Sequence, residues 1–166
     1  MNNVSTENAS PLITQEKPEI SIMLATMEHL WAAKRLADQH KNELGFINQA
    51  ILRKAIEADS LLVALAGPKD ESEVAGFVHF YVRRDQQITL YSIVVAQKYR
   101  HEGLGRRLFA SLVCEAARRE KREILLKCPA ELPANLFYKQ LGLEKVADEP
   151  GKHRALHVWK YRVQDA

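Results

Sequence analysis

The alternation of apolar and polar positions along the chain predicts a mixture of strands and helices. Apolar residues alternate with polar or small ones over residues 20–24, which indicates a strand. Residues 27–40 and 48–58 carry apolar side chains at helical spacing, so each segment has one face to bury. The period breaks at residues 41–46, which predicts a loop containing Gly45 between two helices.

Three apolar segments in the middle of the chain predict neighbouring strands. Residues 61–66 are apolar throughout, residues 74–83 follow a polar turn, and residues 88–95 follow a second turn. One face of the 74–83 strand carries Phe77, His79, Tyr81 and Arg83, and the other carries Val78, Phe80 and Val82. Because both faces are partly apolar, we expect this strand to be central in the sheet.

The second half of the chain predicts a long helix after residue 103, a strand at 123–128 and a short helix at 134–141 that Gly142 ends. Residues 143–147 and 153–163 predict a hairpin with its turn at residues 148–151. The order β-α-α-β-β-β-α-β-α-β-β indicates an α/β (α+β mixed) fold, in which a central mixed sheet has helices on both faces.

Length and composition limit the classes of protein to consider. The 166 residues fit one domain over 19–163, with short tails at 1–18 and 164–166. A net charge of +3 does not by itself indicate nucleic acid, although it suits an anionic ligand. Cys114 and Cys128 lack metal-ligand spacing and read as free thiols. With neither a membrane-spanning segment nor a signal peptide in the pattern, we expect a cytoplasmic protein.

The segment from residue 90 to residue 112 passes from an apolar strand through Gly103-Leu104-Gly105 into an amphipathic helix. Glycines let a ligand approach the main chain, and the first helical turn leaves N–H groups without intrahelical partners, which suits a phosphate. Leu108 replaces the third glycine of a dinucleotide fingerprint, and the Gly-Lys-Ser/Thr of a P-loop is missing. The segment therefore predicts a different anion site, or only a tight turn.

Two motifs carry a resemblance to a known family. Arg100-x-x-Gly103-x-Gly105 resembles the acyl-CoA pyrophosphate loop of the GNAT superfamily of N-acetyltransferases. The segment 135–143 resembles the GNAT pattern Asn-x-x-Phe-Tyr-x-x-x-Gly-Phe/Leu, with Asn135 one residue nearer to Phe137. The resemblance spans about residues 19–163 and implies a mostly antiparallel GNAT-like sheet and acetyl-CoA as co-substrate. The cofactor-binding residues that it implies are Val94, Val95, Arg100, His101, Glu102, Gly103, Leu104, Gly105, Arg106, Asn135 and Tyr138.

The resemblance also implies roles in catalysis. A backbone N–H of the strand with Val94 and Val95 would stabilise the carbonyl oxygen, and Tyr138 would protonate the leaving thiolate. Many GNAT members carry a carboxylate as general base where this chain has Ser92. His79 on the neighbouring strand and Glu43 between the first two helices are the other candidate bases. The choice among these three stays open.

Three functions follow as hypotheses. The first is acetyl transfer from acetyl-CoA to a primary amine of a small molecule or peptide. For this function we expect a monomer or homodimer, with neither a membrane nor a nucleic acid as a partner. The second is a non-catalytic acyl-CoA-binding regulatory module, because Ser92 replaces the usual carboxylate. The third is an acetyltransferase-like toxin acting on aminoacyl-tRNA. Its only support is the basic cluster of Arg118, Arg119, Lys121 and Arg122, which we interpret instead as charge at a helix C-terminus.

Overall fold

A computed structural model describes residues 16–164, so residues 1–15 and 165–166 of the two expected tails lie outside the described part. The strands are β1 (Ile20–Leu24), β2 (Leu61–Ala66), β3 (Glu73–Val82), β4 (Gln87–Val95), β5 (Glu123–Pro129), β6 (Glu144–Pro150) and β7 (Ala155–Arg162). The α-helices are α1 (Leu30–Gln39), α2 (Lys41–Leu44), α3 (Gln49–Glu57), α4 (Leu104–Arg118) and α5 (Ala134–Gln140). Short 3₁₀ turns precede α1 and α4. None of the described helices is both long enough and apolar enough to span a membrane.

The seven strands form one open sheet in the order β1-β2-β3-β4-β5-β7-β6. Each neighbouring pair is antiparallel except β4 and β5, which run parallel and are joined through the α4 crossover. The predicted mixed, mostly antiparallel α/β fold is therefore confirmed, and so is the central position of β3.

Two hydrophobic cores lie on opposite faces of the sheet. On one face α4 contributes Leu108 and Leu112 to a core that also receives Leu126 and Trp159 from the sheet, with Tyr138 of α5 packed against it. On the other face α1 and α3 pack on β2 and β3. Because β2 is buried on both faces, its residues are apolar throughout.

Two sequence-based boundaries were wrong. Residues 41–46 are not all loop, since Lys41–Leu44 form one helical turn that Gly45 ends with a φ of +75°. The hairpin turn lies at residues 151–154 rather than 148–151. Asp148 and Glu149 pair with His157 and Leu156, so β6 continues to Pro150. Proline is tolerated there because β6 is an edge strand and needs no further N–H donor.

Two irregularities in β4 shape the centre of the sheet. Opposite β3, His79 pairs with Ser92 and Phe80 with Leu90, so Tyr91 is an extra residue in a β-bulge. Ile88 and Leu90 face the α4 side, whereas Val94, beyond the bulge, faces the α1 and α3 side. Opposite β5, pairing covers only the three residues Gln87–Thr89. Beyond Thr89 the two strands separate and leave a gap.

Candidate active site

The N-terminus of α4 opens beside the end of β4. Gly103 precedes the helix in the left-handed conformation, with a φ of +79°, and no side chain within residues 16–164 caps the helix. The first helical bond runs from the Arg107 N–H to the Gly103 carbonyl, so the N–H groups of the first turn are free for a ligand. Leu104 is buried in the core and can offer only its backbone, while His101, Glu102 and Arg106 are exposed. This turn can hold an anion.

Gly105 lies where α4, α5 and β4 meet. A Cβ at this position would stand 3.0 Å from Cζ of Phe137 and 3.8 Å from a methyl group of Val95. A side chain at position 105 would therefore press on the Phe137 ring, which would have to shift by a few tenths of an ångström. Phe137 and Val95 both lie close to the first turn of α4 at this position.

The Arg100 guanidinium is bonded to the end of β4 and to the α1–α2 junction. Its Nε donates to the Val95 carbonyl at 2.9 Å, and one Nη donates to Nδ1 of His40 at 3.1 Å and to the Glu43 carboxylate at 3.3 Å. His40 is buried, and because a guanidinium can only donate, its Nδ1 is the acceptor. Arg100 thus fastens the end of β4 to the α1–α2 junction, and a direct contact with pyrophosphate stays a prediction.

Tyr138 of α5 is half-buried against the α4-side core. Burial, with a smaller contribution from the nearby Cys128 thiol, raises the pKa of Tyr138 above its ordinary value. Burial likewise raises the pKa of Cys128 to about 11. Both groups therefore stay protonated near neutral pH, so the phenol carries a proton that it can donate, although the raised pKa makes it a weaker acid, and the thiol is a poor nucleophile.

The Asn135 amide bonds to three parts of the protein. Its Nδ2 donates to the carbonyls of Pro129 at 2.8 Å and Leu132 at 2.9 Å, and its Oδ1 accepts from the Trp159 indole at 2.9 Å. These bonds tie the end of β5 to α5 and β7. Both Nδ2 protons are used within the protein, and a ligand could bond only to the second lone pair of Oδ1, so the cofactor role of Asn135 stays a prediction.

We expect Asn135→Ala to lower the free energy of unfolding by about 1–3 kcal/mol, because it leaves the buried Trp159 indole N–H without its acceptor. The carbonyls of Pro129 and Leu132 keep the bonds that they also accept from backbone N–H groups. Urea unfolding followed by tryptophan fluorescence measures the change. The exposed Asn42→Ala is the control and should shift stability by less than about 0.5 kcal/mol. Equal stabilities of the two variants would contradict the structural role.

The three candidate bases occupy different environments. Ser92 is buried in β4 directly opposite His79, and a serine hydroxyl cannot accept a proton at neutral pH without help. Glu43 is exposed on α2 and pairs with Arg100. His79 is half-buried, its ring centroid lies 5.1 Å from that of Tyr91, and burial lowers the pKa of its imidazole. Because its pKa is lowered, the His79 imidazole is neutral at neutral pH and can accept a proton, and the role of base stays a prediction for all three residues.

Residues 57–145 match the family model of the acetyltransferase (GNAT) domain, which is more than half of the chain. The chain belongs to the GNAT acetyltransferase family. No curated protein sequence matches it.

Solved GNAT structures share the fold at low sequence identity. Ard1 from Thermoplasma volcanium has a TM-score of 0.75 at 16% identity, covering 88% of this chain and 99% of its own. The ribosomal-protein-S18-alanine N-acetyltransferase from Escherichia coli has a TM-score of 0.69 at 19% identity, covering 89% and 96%. NAA60 from Arabidopsis thaliana, solved with acetyl-CoA, has a TM-score of 0.72 at 18% identity, covering 87% and 100%.

Two residues near the candidate site were not singled out from the sequence. Tyr91 lies there through the bulge, and His40 through its bond to Arg100. Phe137, which the sequence marked only as part of the 135–143 motif, lies close to position 105. Neither a β-bulge nor the long-range bonds of an arginine change the spacing of apolar residues, so the hydrophobic pattern of the sequence does not reveal them.

Three of the four residues in the basic cluster at the end of α4 bond to other parts of the protein. Arg118 and Arg119 pair with Glu115 at 2.8 Å and 3.1 Å, and Arg119 also lies over the Phe80 ring. Lys121 donates to the carbonyls of Arg83 and Asp85 at 2.7 Å and 2.6 Å. This arrangement favours a structural role over a surface for nucleic acid.

Proposed function

We propose that the protein transfers an acetyl group from acetyl-CoA to a primary amine of a small molecule or peptide. The observation that carries the proposal is the gap between β4 and β5 beside the uncapped N-terminus of α4, in a chain of the GNAT family. Acetyl-CoA binding by a related fold supports it, since NAA60 is solved with that ligand. An amine acceptor is supported by the E. coli enzyme, whose name gives a protein alanine as its substrate.

We assign each part of acetyl-CoA to chemical groups around the gap. First-turn N–H groups of α4, with the exposed Arg106 nearby, would hold the pyrophosphate. Main-chain groups of β4 beyond Thr89 have no partner on β5 and would bond the pantetheine amides. When bound, acetyl-CoA supplies a thioester carbonyl that an amine can attack. A backbone N–H of β4 near Val94 would stabilise the charge that develops on the carbonyl oxygen.

The proton transfers fall to His79 and Tyr138. The acceptor enters as an ammonium, which has no lone pair, and loses two protons while its nitrogen bonds the acetyl carbon and the carbon–sulfur bond breaks. His79 accepts the first proton and passes it to solvent. Tyr138 gives its own proton to the leaving sulfur, and the second proton from nitrogen restores the phenol through water.

We expect Tyr138→Phe to lower kcat by about 10- to 100-fold, because the leaving thiolate loses its proton donor. The affinity for acetyl-CoA should change little, since the ring remains. Steady-state kinetics of thiol release, with calorimetry for binding, separate the two effects. Tyr161→Phe is the matched control, because Tyr161 lies on β7 and its ring packs against Phe109 of α4. A Tyr138→Phe enzyme with unchanged kcat would remove the phenol from the mechanism.

A non-catalytic acyl-CoA-binding module is the second candidate, favoured by Ser92 at the usual position of the carboxylate. Calorimetric titration with acetyl-CoA tests both candidates, and the absence of binding by folded protein would refute them together. Thiol release with a panel of amines then separates them. Release that depends on an amine supports the enzyme, whereas binding without release from any amine supports the module.

A further inference from the structure

Three rings form a continuous cluster on the α1 and α3 face of the sheet, and we call His79, Tyr81 and Tyr91 the ring cluster. The Tyr91 ring lies in the middle, with centroid distances of 5.1 Å to His79 and 6.5 Å to Tyr81. Tyr91 is 59% exposed and Tyr81 is 53% exposed. Such large exposed rings side by side are typical of binding surfaces rather than of a solvated sheet face.

The ring cluster is open because the helical layer ends before it. The core under α1 and α3 includes Phe77 of β3 and reaches β4 at Val94. The bulge at Tyr91 lies just beyond this core, and the separation of β4 from β5 begins at Thr89. The ring cluster therefore borders the gap on the face opposite to α4 and α5, where an acceptor could approach the thioester without crossing the cofactor.

The charges around the ring cluster are already paired. On this face of the neighbouring strands, Lys127 pairs with Glu149 at 2.8 Å and Lys160 with Glu123 at 3.5 Å. At the end of β3, Arg83 pairs with Asp85 at 3.0 Å. A second ammonium group on an acceptor would find no free carboxylate among these residues. The surface thus favours an apolar or aromatic group over a second cation.

We propose that the ring cluster binds an apolar or aromatic group of the acceptor, so that the enzyme prefers primary amines that carry such a group within a few bonds of the nitrogen. This inference rests on the proposed function. The group would stack on Tyr81 and Tyr91 while the amine lies beside His79. The acceptor chemistry is the same whether the amine is a free arylalkylamine or the N-terminus of a peptide with an aromatic first residue.

Thiol release from acetyl-CoA with matched amines tests the inference. We expect kcat/KM for 2-phenylethylamine to exceed that for ethylamine and for 1,4-diaminobutane by about tenfold or more. A pair of peptides that differ only in a first residue of Phe or Gly forms the second arm. A preference in the amine arm indicates a small-molecule acceptor, and one confined to the peptide arm indicates a peptide N-terminus. Equal rates within both arms would overturn the inference while leaving the proposed function intact.

Variants locate the preference in the ring cluster. Tyr91→Ala and Tyr81→Ala should each reduce it by about five- to tenfold, and Tyr91→Phe should retain it, since the ring rather than the hydroxyl makes the contact. Trp31→Ala removes a ring of similar exposure on α1 and should keep the preference. If Trp31→Ala reduced the preference as much as Tyr91→Ala does, the assignment of the preference to the ring cluster would be refuted.

Binding provides a readout independent of turnover. Calorimetric titration of 2-phenylethylamine into the protein saturated with CoA should show binding that Tyr91→Ala weakens by about fivefold or more. If no amine is acetylated but this binding is observed, the proposed function fails and the ring cluster stands as an amine-binding surface. If neither is observed, both proposals are refuted.

Discussion

Replacing Gly105 with tryptophan is expected to lower the affinity for acetyl-CoA by about 100-fold or more. Even a Cβ at this position would stand 3.0 Å from the Phe137 ring, so an indole must displace that ring or fill the space in front of the first turn of α4. Either outcome obstructs or distorts the first turn of α4, to which we assign the pyrophosphate. Calorimetric titration with acetyl-CoA measures the loss.

A second tryptophan variant controls for the size of the introduced side chain. Ala110→Trp places the same indole on the exposed face of α4 and should bind acetyl-CoA normally. Thermal unfolding of both variants shows whether the fold persists. A folded Gly105→Trp protein with wild-type affinity would contradict the assignment of the first turn of α4 to the cofactor.

Replacing His79 with glutamine is expected to reduce kcat by about 100-fold, because the amine loses the group that takes its proton. Burial lowers the pKa of His79, so the imidazole is in its active neutral form at neutral pH. In the wild type, kcat/KM should fall as the pH drops through that lowered pKa and the imidazole becomes protonated. The acidic limb of the profile should disappear in His79→Gln.

Glu43→Gln distinguishes His79 from the competing carboxylate. Glu43 is exposed and paired with Arg100, so its replacement should leave kcat within about threefold of the wild type with the acidic limb in place. If Glu43→Gln loses both the rate and the limb while His79→Gln keeps them, the base is Glu43.

The strand and helix pattern was largely readable from the sequence. The sequence pattern marks a segment clearly when one face is buried and the other is exposed to solvent, as in α4. A continuous apolar run does the same when both faces are buried, as in β2. The sequence pattern failed at α2, where a single helical turn is too short to have a period. It also failed at Pro150, because a turn-forming dipeptide can equally end an exposed edge strand.

The site was less predictable than the fold. Motif resemblance located the turn before α4 and the segment with Tyr138, since both depend on local backbone shape. The partners of Arg100 lie about 60 positions earlier in the chain, at His40 and Glu43, and only the tertiary fold brings them together. The position of Tyr91 depends on a register shift, and the sequence contains no local marker for it.

The three-residue contact between β4 and β5 has a consequence for how the molecule holds together. Strands β1 to β4 form one continuous antiparallel unit and β5 to β7 another, and only Gln87–Thr89 join the two by strand pairing. Besides this pairing, the hydrophobic core under α4, which draws residues from both units, holds them together. A ligand lying between β4 and β5 contacts both units, and its binding free energy adds to the stability of their association.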